Sequence, residues 1–277
     1  MAEAELWAGP TGREWALHAE ALDRQLAPVG AIALAALAPR PGERILDLGC
    51  GSGATTAALC AAVGPGGVVT GADISADQVA AARARPGNER ARFLVADAAT
   101  HPFEPRGFDA LFSRFGCMFF GDPPAAYANL HRALKPGARV VLTAWCRLDR
   151  NPWAAVPAAV GAEVLGPADP PTPGVPGPFA WASPEVFQPI LEGAGFTALE
   201  YREAPVMLQI GDSAPEDPVA RALGMVMRIG PLARRLKGVP DGARAAVAAR
   251  LAPALEPHVS DGWVRMPGLI WVIRARA

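Results

Sequence analysis

The sequence predicts an α/β protein built on a doubly wound, mostly parallel sheet of seven strands with helical cap elements. Three observations predict it. Short apolar runs alternate with small-residue helical stretches between residues 44 and 145, the pattern of strands joined by crossover helices. A glycine turn, Gly49-Cys50-Gly51-Ser52-Gly53, follows the first run and opens a helix, the general plan of a nucleotide site in an open sheet. Acidic residues, Asp73 and Asp97, close the next two runs, where a ligand laid across the strand tips would meet them.

Bulk properties narrow the class. The chain has 277 residues, 51% of them hydrophobic, enough for one enlarged domain or one domain with a modest cap. A net charge of -1 argues against a nucleic-acid surface, which needs a basic excess. Lysine occurs only at Lys135 and Lys237; beside so much alanine, glycine and proline, the arginine bias reads as a GC-rich genome. Glu3 and Glu5 stand where a secretory leader would be positive. No apolar run reaches about 18 residues, so no membrane span is expected. Cys50, Cys60, Cys117 and Cys146 are scattered, which fits no familiar zinc site and suggests reduced thiols. A cytoplasmic enzyme without metal is the expectation.

Taken in order, Leu6 to Ala38 reads as helical, interrupted at Gly9-Pro10 and Pro28. Trp7 and Trp15 in this segment are costly unless packed. They either seal the helix onto the sheet or form a lid, with Trp15 as a wall and His18 as a candidate general base. Ile45 to Leu48 is strand one, and Ala54 to Ala62 the helix after the turn. Val68 to Ala72 is strand two, ending at Asp73, with Ser75 as N-cap of the next helix. Ala91 to Ala96 and Phe108 to Phe112 are strands three and four. Asp122-Pro123-Pro124 opens a helix to Leu134, and Ala138 to Trp145 is strand five. Residues 166 to 180 hold six prolines and three glycines, too many for regular structure. Ser183-Pro184 starts a helix ending near Gly193, and Phe196 to Glu203 is strand six. A helical insert over 215–255 breaks near Gly230-Pro231 and Pro240-Asp241-Gly242. Trp263 to Arg274 is the last strand, expected at the antiparallel edge. The domain reading is a lid segment 1–40, a core 41–211, an insert or cap 212–260 and a final edge strand 261–277.

The glycine pattern alone is ambiguous. Gly49, Gly51 and Ala54 satisfy a dinucleotide fingerprint, with Asp73 near the spacing of its ribose acid. Asp47 tips the balance, because a carboxylate two places before the first glycine is a poor neighbour for a pyrophosphate and a good one for a cationic group. The stretch Asp47-Leu48-Gly49-Cys50-Gly51-Ser52-Gly53 resembles motif I of the class I S-adenosylmethionine (SAM) methyltransferases. Asp73-Ile74-Ser75, Ala96-Asp97-Ala98, Phe108-Asp109 and Leu134-Lys135-Pro136-Gly137 fall in that family's order and spacing. The resemblance is to the branch holding the ubiquinone/menaquinone C-methyltransferases and small-molecule enzymes. Ser113 to Pro123 and Asn151-Pro152-Trp153 look like the signature of one bacterial subgroup.

The resemblance implies a Rossmann-like methyltransferase fold, SAM as cofactor, S-adenosylhomocysteine as product and a small-molecule acceptor, with oxygen or carbon favoured. It implies that Asp47, Gly49, Cys50, Gly51 and Gly53 bind the cofactor. Asp73 and Ile74 would meet the ribose, Asp97 and Ala98 the adenine. The loop with Ser113 and Arg114 would line the methionine part of SAM and face the acceptor, which Phe115 would help to bind. Arg114 would bind the SAM carboxylate or an acidic acceptor, or pair with Asp122 or Asp47. His101 and His131 are further candidate bases. The competing readings are a nicotinamide-dependent oxidoreductase, for which no Tyr-x-x-x-Lys is present, and a catalytically silent SAM-binding protein. The insert would cap the acceptor or form a homodimer contact.

Overall fold

A computed structural model describes residues 3–213 and 216–277. The strands are β1 (Arg44–Leu48), β2 (Val68–Asp73), β3 (Arg92–Val95), β4 (Phe108–Arg114), β5 (Leu134–Trp145), β6 (Thr197–Ile210), β7 (Val259–Ser260) and β8 (Trp263–Arg276). They form one sheet in the order β3-β2-β1-β4-β5-β8-β6, with the two-residue β7 pairing β8. β1 to β5 are parallel neighbours, and β8 runs antiparallel to both β5 and β6. The core is therefore the expected seven-stranded sheet. One placement is corrected: β8 is not the edge. It fills the slot between β5 and β6, and β6 is the edge strand.

Central strands need apolar residues on both faces, and β1 shows how the two faces divide. Ile45 belongs with Leu59, Val63, Val69, Ala110 and Phe112 under two helices, α3 (Ala19–Leu37) and α4 (Ala54–Val63). Leu46 and Leu48 belong to the larger cluster on the other face, with Leu111, Tyr127, Trp181 and Phe187. Strand alternation puts Asp47 on the face of Ile45, and Arg114 on that of Phe112. Both polar residues of the signature motifs thus start on the α3/α4 side.

The N-terminal segment differs from the sequence reading. Helices α1 (Glu3–Ala8) and α2 (Pro10–Leu17) precede α3, so the breaks fall at Gly9 and His18. Pro28 lies inside α3 and does not interrupt it; a proline forfeits one ladder bond, and here the buried apolar stripe Leu26, Val29, Ala33 and Leu37 holds the helix on the sheet. After β2 comes α5 (Ala76–Ala84), with Ser75 Oγ accepting from the Gln78 N–H at 3.3 Å. Helix α6 (Pro123–Ala133) is capped by Asp122, whose carboxylate accepts from the Ala125 N–H at 3.1 Å. The expected Leu134-Lys135-Pro136-Gly137 turn appears as an irregularity within β5, where pairing with β4 jumps from Leu134 to Arg139. Helix α7 (Pro152–Leu165), with Pro157 inside it, is not read from the sequence. Helix α8 (Pro184–Gly193) leads into β6. Between β6 and β8 come α9 (Pro218–Val226), α10 (Pro231–Arg235) and α11 (Asp241–Leu255), with breaks where glycine and proline put them.

Candidate active site

The pairing register places Leu48, Asp73, Val95 and Arg114 at one end of the sheet. The strand order reverses direction between β1 and β4, which opens a crevice outside the carboxyl ends of the strands. A cavity of about 530 Å³ occupies it. One end is lined by Gly49, Cys50, Gly51, Asp73, Ile74 and Gln78, continuing to Asp97, Ala98 and Thr100. The other is walled by Trp7, Trp15, Phe115, Phe119, Trp145 and Trp153, with Met225, Ile229 and Leu232 from the α9–α10 side.

The glycine turn is built by close approach as much as by its dihedral angles. Gly49, Gly51 and Gly53 have φ of 64°, 55° and 79°, the left-handed region that glycine enters without penalty. A Cβ on Gly49 would also stand 2.7 Å from the Gly116 Cα, and one on Gly53 would stand 2.4 Å from the Asn88 amide nitrogen. Gly51 differs. Its missing Cβ would reach nothing nearer than the Gln78 side chain at 3.4 Å, and both residues line the cavity. Gly51 leaves a cradle; Gly49 and Gly53 allow the turn to pack.

Asp73 closes the turn from the β2 side. Its Oδ2 accepts from the Gly51 N–H and its Oδ1 from the Ser75 N–H, both at 2.9 Å. Burial raises its pKa, and the N–H groups of Ser75, Gly51 and Ile74 oppose that rise. Each carboxylate oxygen keeps a further lone pair. Asp97 is exposed and accepts from the Ala99 N–H at 2.9 Å. Ala98 is buried beside it, its carbonyl accepting from the Asn129 amide at 2.9 Å. Cys50 lies in the turn with its thiol held well above the usual range by burial, reinforced by Asp73 and Asp47. It is a neutral packing group.

Asp47 is not among the cavity's lining residues. It is 1% exposed, beneath the turn, where Oδ2 accepts from the Thr56 hydroxyl at 2.6 Å and the Thr55 hydroxyl at 3.0 Å. Its Oδ1 is buried without a hydrogen-bond partner. Burial pushes this carboxyl up to about 6, against the two threonine hydroxyls and Arg114, which favour the charged form.

Arg114 lines the cavity, but neither Asp122 nor Asp47 is its ion-pair partner. Its guanidinium lies 3.6 Å from the Asp23 carboxylate on α3. Asp23 also meets Arg85, whose Nε donates to the Ser52 carbonyl at 2.7 Å. Asp23, Arg85 and Arg114 therefore clamp α3 to the turn, a cluster that motif reading misses. A signal existed: Asp23 stands three residues before Leu26 on the stripe Leu26, Gly30, Ala33, Leu37 that α3 buries, and an acid at such spacing requires a partner.

The remaining expected residues separate into walls and supports. Phe115 lines the cavity, stacks on Trp145 at 4.3 Å between ring centroids, and has a left-handed φ of 70°. Trp15 lines the cavity beside Trp7, with rings 5.3 Å apart edge to face, and Trp7 meets Phe119 at 5.0 Å. Ser113 and Gly53 do not line it. Ser113 is fully buried and donates to the Leu48 carbonyl at 2.8 Å, so it ties β4 to β1. His18 does not line the cavity either: at the α2–α3 junction its ring faces Asp212 at 3.4 Å and Glu14 at 3.9 Å. The expectation of a base at His18 is corrected accordingly. His101 packs on Phe103 and His131 on Phe196, both outside the cavity lining.

Comparison with known proteins decides the family. A model described as a methyltransferase domain matches residues 45–137. Over 246 residues the chain is 31% identical to nocamycin O-methyltransferase of Saccharothrix syringae, an alignment covering 85% of each protein. The chain belongs to the class I SAM-dependent methyltransferases. It is of the small-molecule branch and uses SAM. Demethylmenaquinone methyltransferase of Clavibacter sepedonicus is 42% identical over 108 residues, 39% of this chain and 43% of that protein; the chain thus spans under half of that relative. The fold matches phosphoethanolamine N-methyltransferase 2 of Haemonchus contortus, solved with S-adenosyl-L-methionine, with a TM-score of 0.55 and 18% identity over 100% of this chain and 60% of that one. The oxidoreductase alternative falls with the family assignment.

Proposed function

We propose that this methyltransferase carries the methyl group of SAM to oxygen or carbon of a small apolar acceptor, with donor and acceptor in one cavity. The observation that carries the reading is continuity: the acids and glycine turn at the strand tips share a cavity with the aromatic chamber. Asp73 would take the ribose hydroxyls on its free lone pairs, beside Ile74. Asp97 would accept the adenine amine, and the Ala98 N–H would meet a ring nitrogen. Gly49, Cys50 and Gly51 would carry the methionine part, with Gly53 and Ser113 holding the turn from behind. The buried carboxylate of Asp47 beneath the turn and the open space at Gly51 both suit a cationic, backbone-hugging ligand. Arg114 would receive its carboxylate or an acidic acceptor, and Trp15 and Phe115 would wall the acceptor.

SAM brings a methyl group already activated on a sulfonium, so alignment supplies most of what the reaction needs, about 7–11 kcal/mol for well-oriented reactants. The protein's part is orientation and exclusion of water, which the aromatic chamber and the helices over it serve. Residues 1–40 would act as a lid, and residues 212–260 as an acceptor cap or a dimer contact. A net charge of -1 supports no nucleic-acid partner. Among the described residues no helix is long and apolar enough to cross a membrane; we place the enzyme in the cytoplasm.

Calorimetry tests the cofactor half. S-adenosylhomocysteine should bind and NADH should not; the reverse would overturn the reading. Asp73→Ala should weaken S-adenosylhomocysteine by about 1.5–3 kcal/mol, the range for hydrogen bonds to a charged group. Unchanged affinity would remove Asp73 from the site. Transfer of labelled methyl to any small acceptor excludes a silent binding protein.

A further inference from the structure

The acceptor half of the cavity has a charge pattern that selects a class of acceptor. Among its described lining residues there is no histidine and no tyrosine. The carboxylates lining the whole cavity are Glu14, Asp23, Asp73, Asp97 and Asp122, and each makes a contact within the protein. Asp73 and Asp97 accept backbone N–H groups at the strand tips. Asp122 caps α6, Asp23 lies between Arg85 and Arg114, and Glu14 faces His18. A hydroxyl acceptor with an ordinary pKa needs a base to take its proton; the described lining offers no histidine, Asp73 and Asp97 stand at the strand-tip end, and Asp23 is held by two arginines.

Cations stand there instead. Arg228 and Lys237 flank α10 and line the cavity beside Ile229 and Leu232. Both are exposed, and neither makes an ion pair with a described residue. Helix α10 packs on α7, where the Leu232 side chain lies against Gly161, and α7 brings Trp153 to the same chamber. The two cations therefore flank a helix packed on the one that carries Trp153, and they line the same cavity as the aromatic wall.

We propose that the acceptor is an apolar molecule bearing an oxygen acid already ionised at neutral pH, a carboxylate or an equally acidic enolate. This rests on the methyltransferase reading above. In the step an oxygen lone pair of the anion forms the O–CH3 bond as the S–CH3 bond breaks, and the sulfur keeps the bonding pair. One anion and one sulfonium become a neutral ester or enol ether and a neutral thioether. No proton is released, so no base is required. The product loses the charge that Arg228 and Lys237 attract, which favours its departure.

The test uses the full chain saturated with S-adenosylhomocysteine and three probes of similar size: 2-naphthoate, 4-hydroxycoumarin and 2-naphthol. Calorimetry at neutral pH should show the two anions binding about tenfold more tightly than neutral 2-naphthol, the order expected from two exposed charge pairs. High salt or the double substitution Arg228→Gln, Lys237→Gln should abolish that preference and leave S-adenosylhomocysteine binding unchanged. Methylation of naphthoate or of hydroxycoumarin then separates carboxylate from enolate. Anions bound no more tightly than 2-naphthol, including no binding of any probe, overturn the proposal while the cofactor reading stands. Failure of S-adenosylhomocysteine to bind overturns both.

Discussion

Replacing Asp47 by asparagine should stabilise the ligand-free protein at neutral pH and weaken its hold on S-adenosylhomocysteine. The carboxyl is fully enclosed, with Oδ1 unpartnered, and its pKa is pushed from 3.8 up to about 6. Burial is the largest cause; the Thr56 and Thr55 hydroxyls and Arg114 only partly offset it. A folded-state pKa above the unfolded value means the native state holds the proton more tightly. Stability from this group is present in acid and is lost as pH rises through about 6. Two pKa units correspond to about 3 kcal/mol. Asparagine keeps the shape and an oxygen for both threonines without the charge. Urea unfolding of ligand-free protein should therefore favour the variant by up to about 3 kcal/mol near pH 7.5, and by about 1 kcal/mol less near pH 5. Calorimetry should show the variant binding S-adenosylhomocysteine about tenfold more weakly, because the negative charge beneath the turn, which attracts its ammonium through the turn, is gone. A variant no more stable than the parent at pH 7.5, or one whose advantage ignores pH, would refute the idea that Asp47 carries a buried charge held for the ligand.

Two further substitutions separate support from contact. Ser113→Ala removes a buried hydrogen bond to the Leu48 carbonyl and should cost about 1–2 kcal/mol in urea unfolding, with only a small loss of S-adenosylhomocysteine affinity through the turn; a loss as large as that of Asp73→Ala would put Ser113 back in contact with the cofactor. Gly12→Ala places a methyl 2.2 Å from the Ser75 Oγ and the Trp7 carbonyl, which must push α2 off the start of α5. A lid predicts a raised KM and lowered kcat with little change in Tm, whereas a fall in Tm that accounts for the lost activity would make the segment a seal.

The parallel half of the fold was legible because its signals are local. Apolar runs, the glycine turn and the acids at Asp73 and Asp97 put β1 to β4 where the structure has them, within a residue or two at the ends. Pro28 misled because a proline in a helix is a local cost, while the buried stripe of α3 is a tertiary gain that sequence alone does not weigh. The position of β8 was not legible either: a strand reads the same at an edge or inside, and only the pairing of Val141 with Arg274 and of Tyr201 with Ile273 shows that both its sides are taken. Helix α7 escaped because Pro157 sits within it. Arg114 lines the cavity, but its partner Asp23 lies 91 positions earlier on another element, and such pairs have no sequence period.

The motif's residues also divide by strand geometry rather than by their order in the chain. Successive side chains on a strand point to opposite faces, so Asp47 goes under α4 and α3 while the backbone of Gly49 to Gly51 reaches the cavity. Ser113, on the opposite face of β4 from Arg114, turns inward to the Leu48 carbonyl. Only some of the motif therefore reaches the cavity. Asp47 and Ser113 act through the turn: one sets the electrostatic field beneath it, the other fixes its distance from β4. Gly116 enforces the same distance, since a Cβ there would stand 2.6 Å from the Leu48 carbonyl. The turn is thus held from below by the contacts of Asp47 with Thr55 and Thr56 and from the side by glycine on glycine, and an alignment-driven reaction draws on a binding site fixed by such contacts.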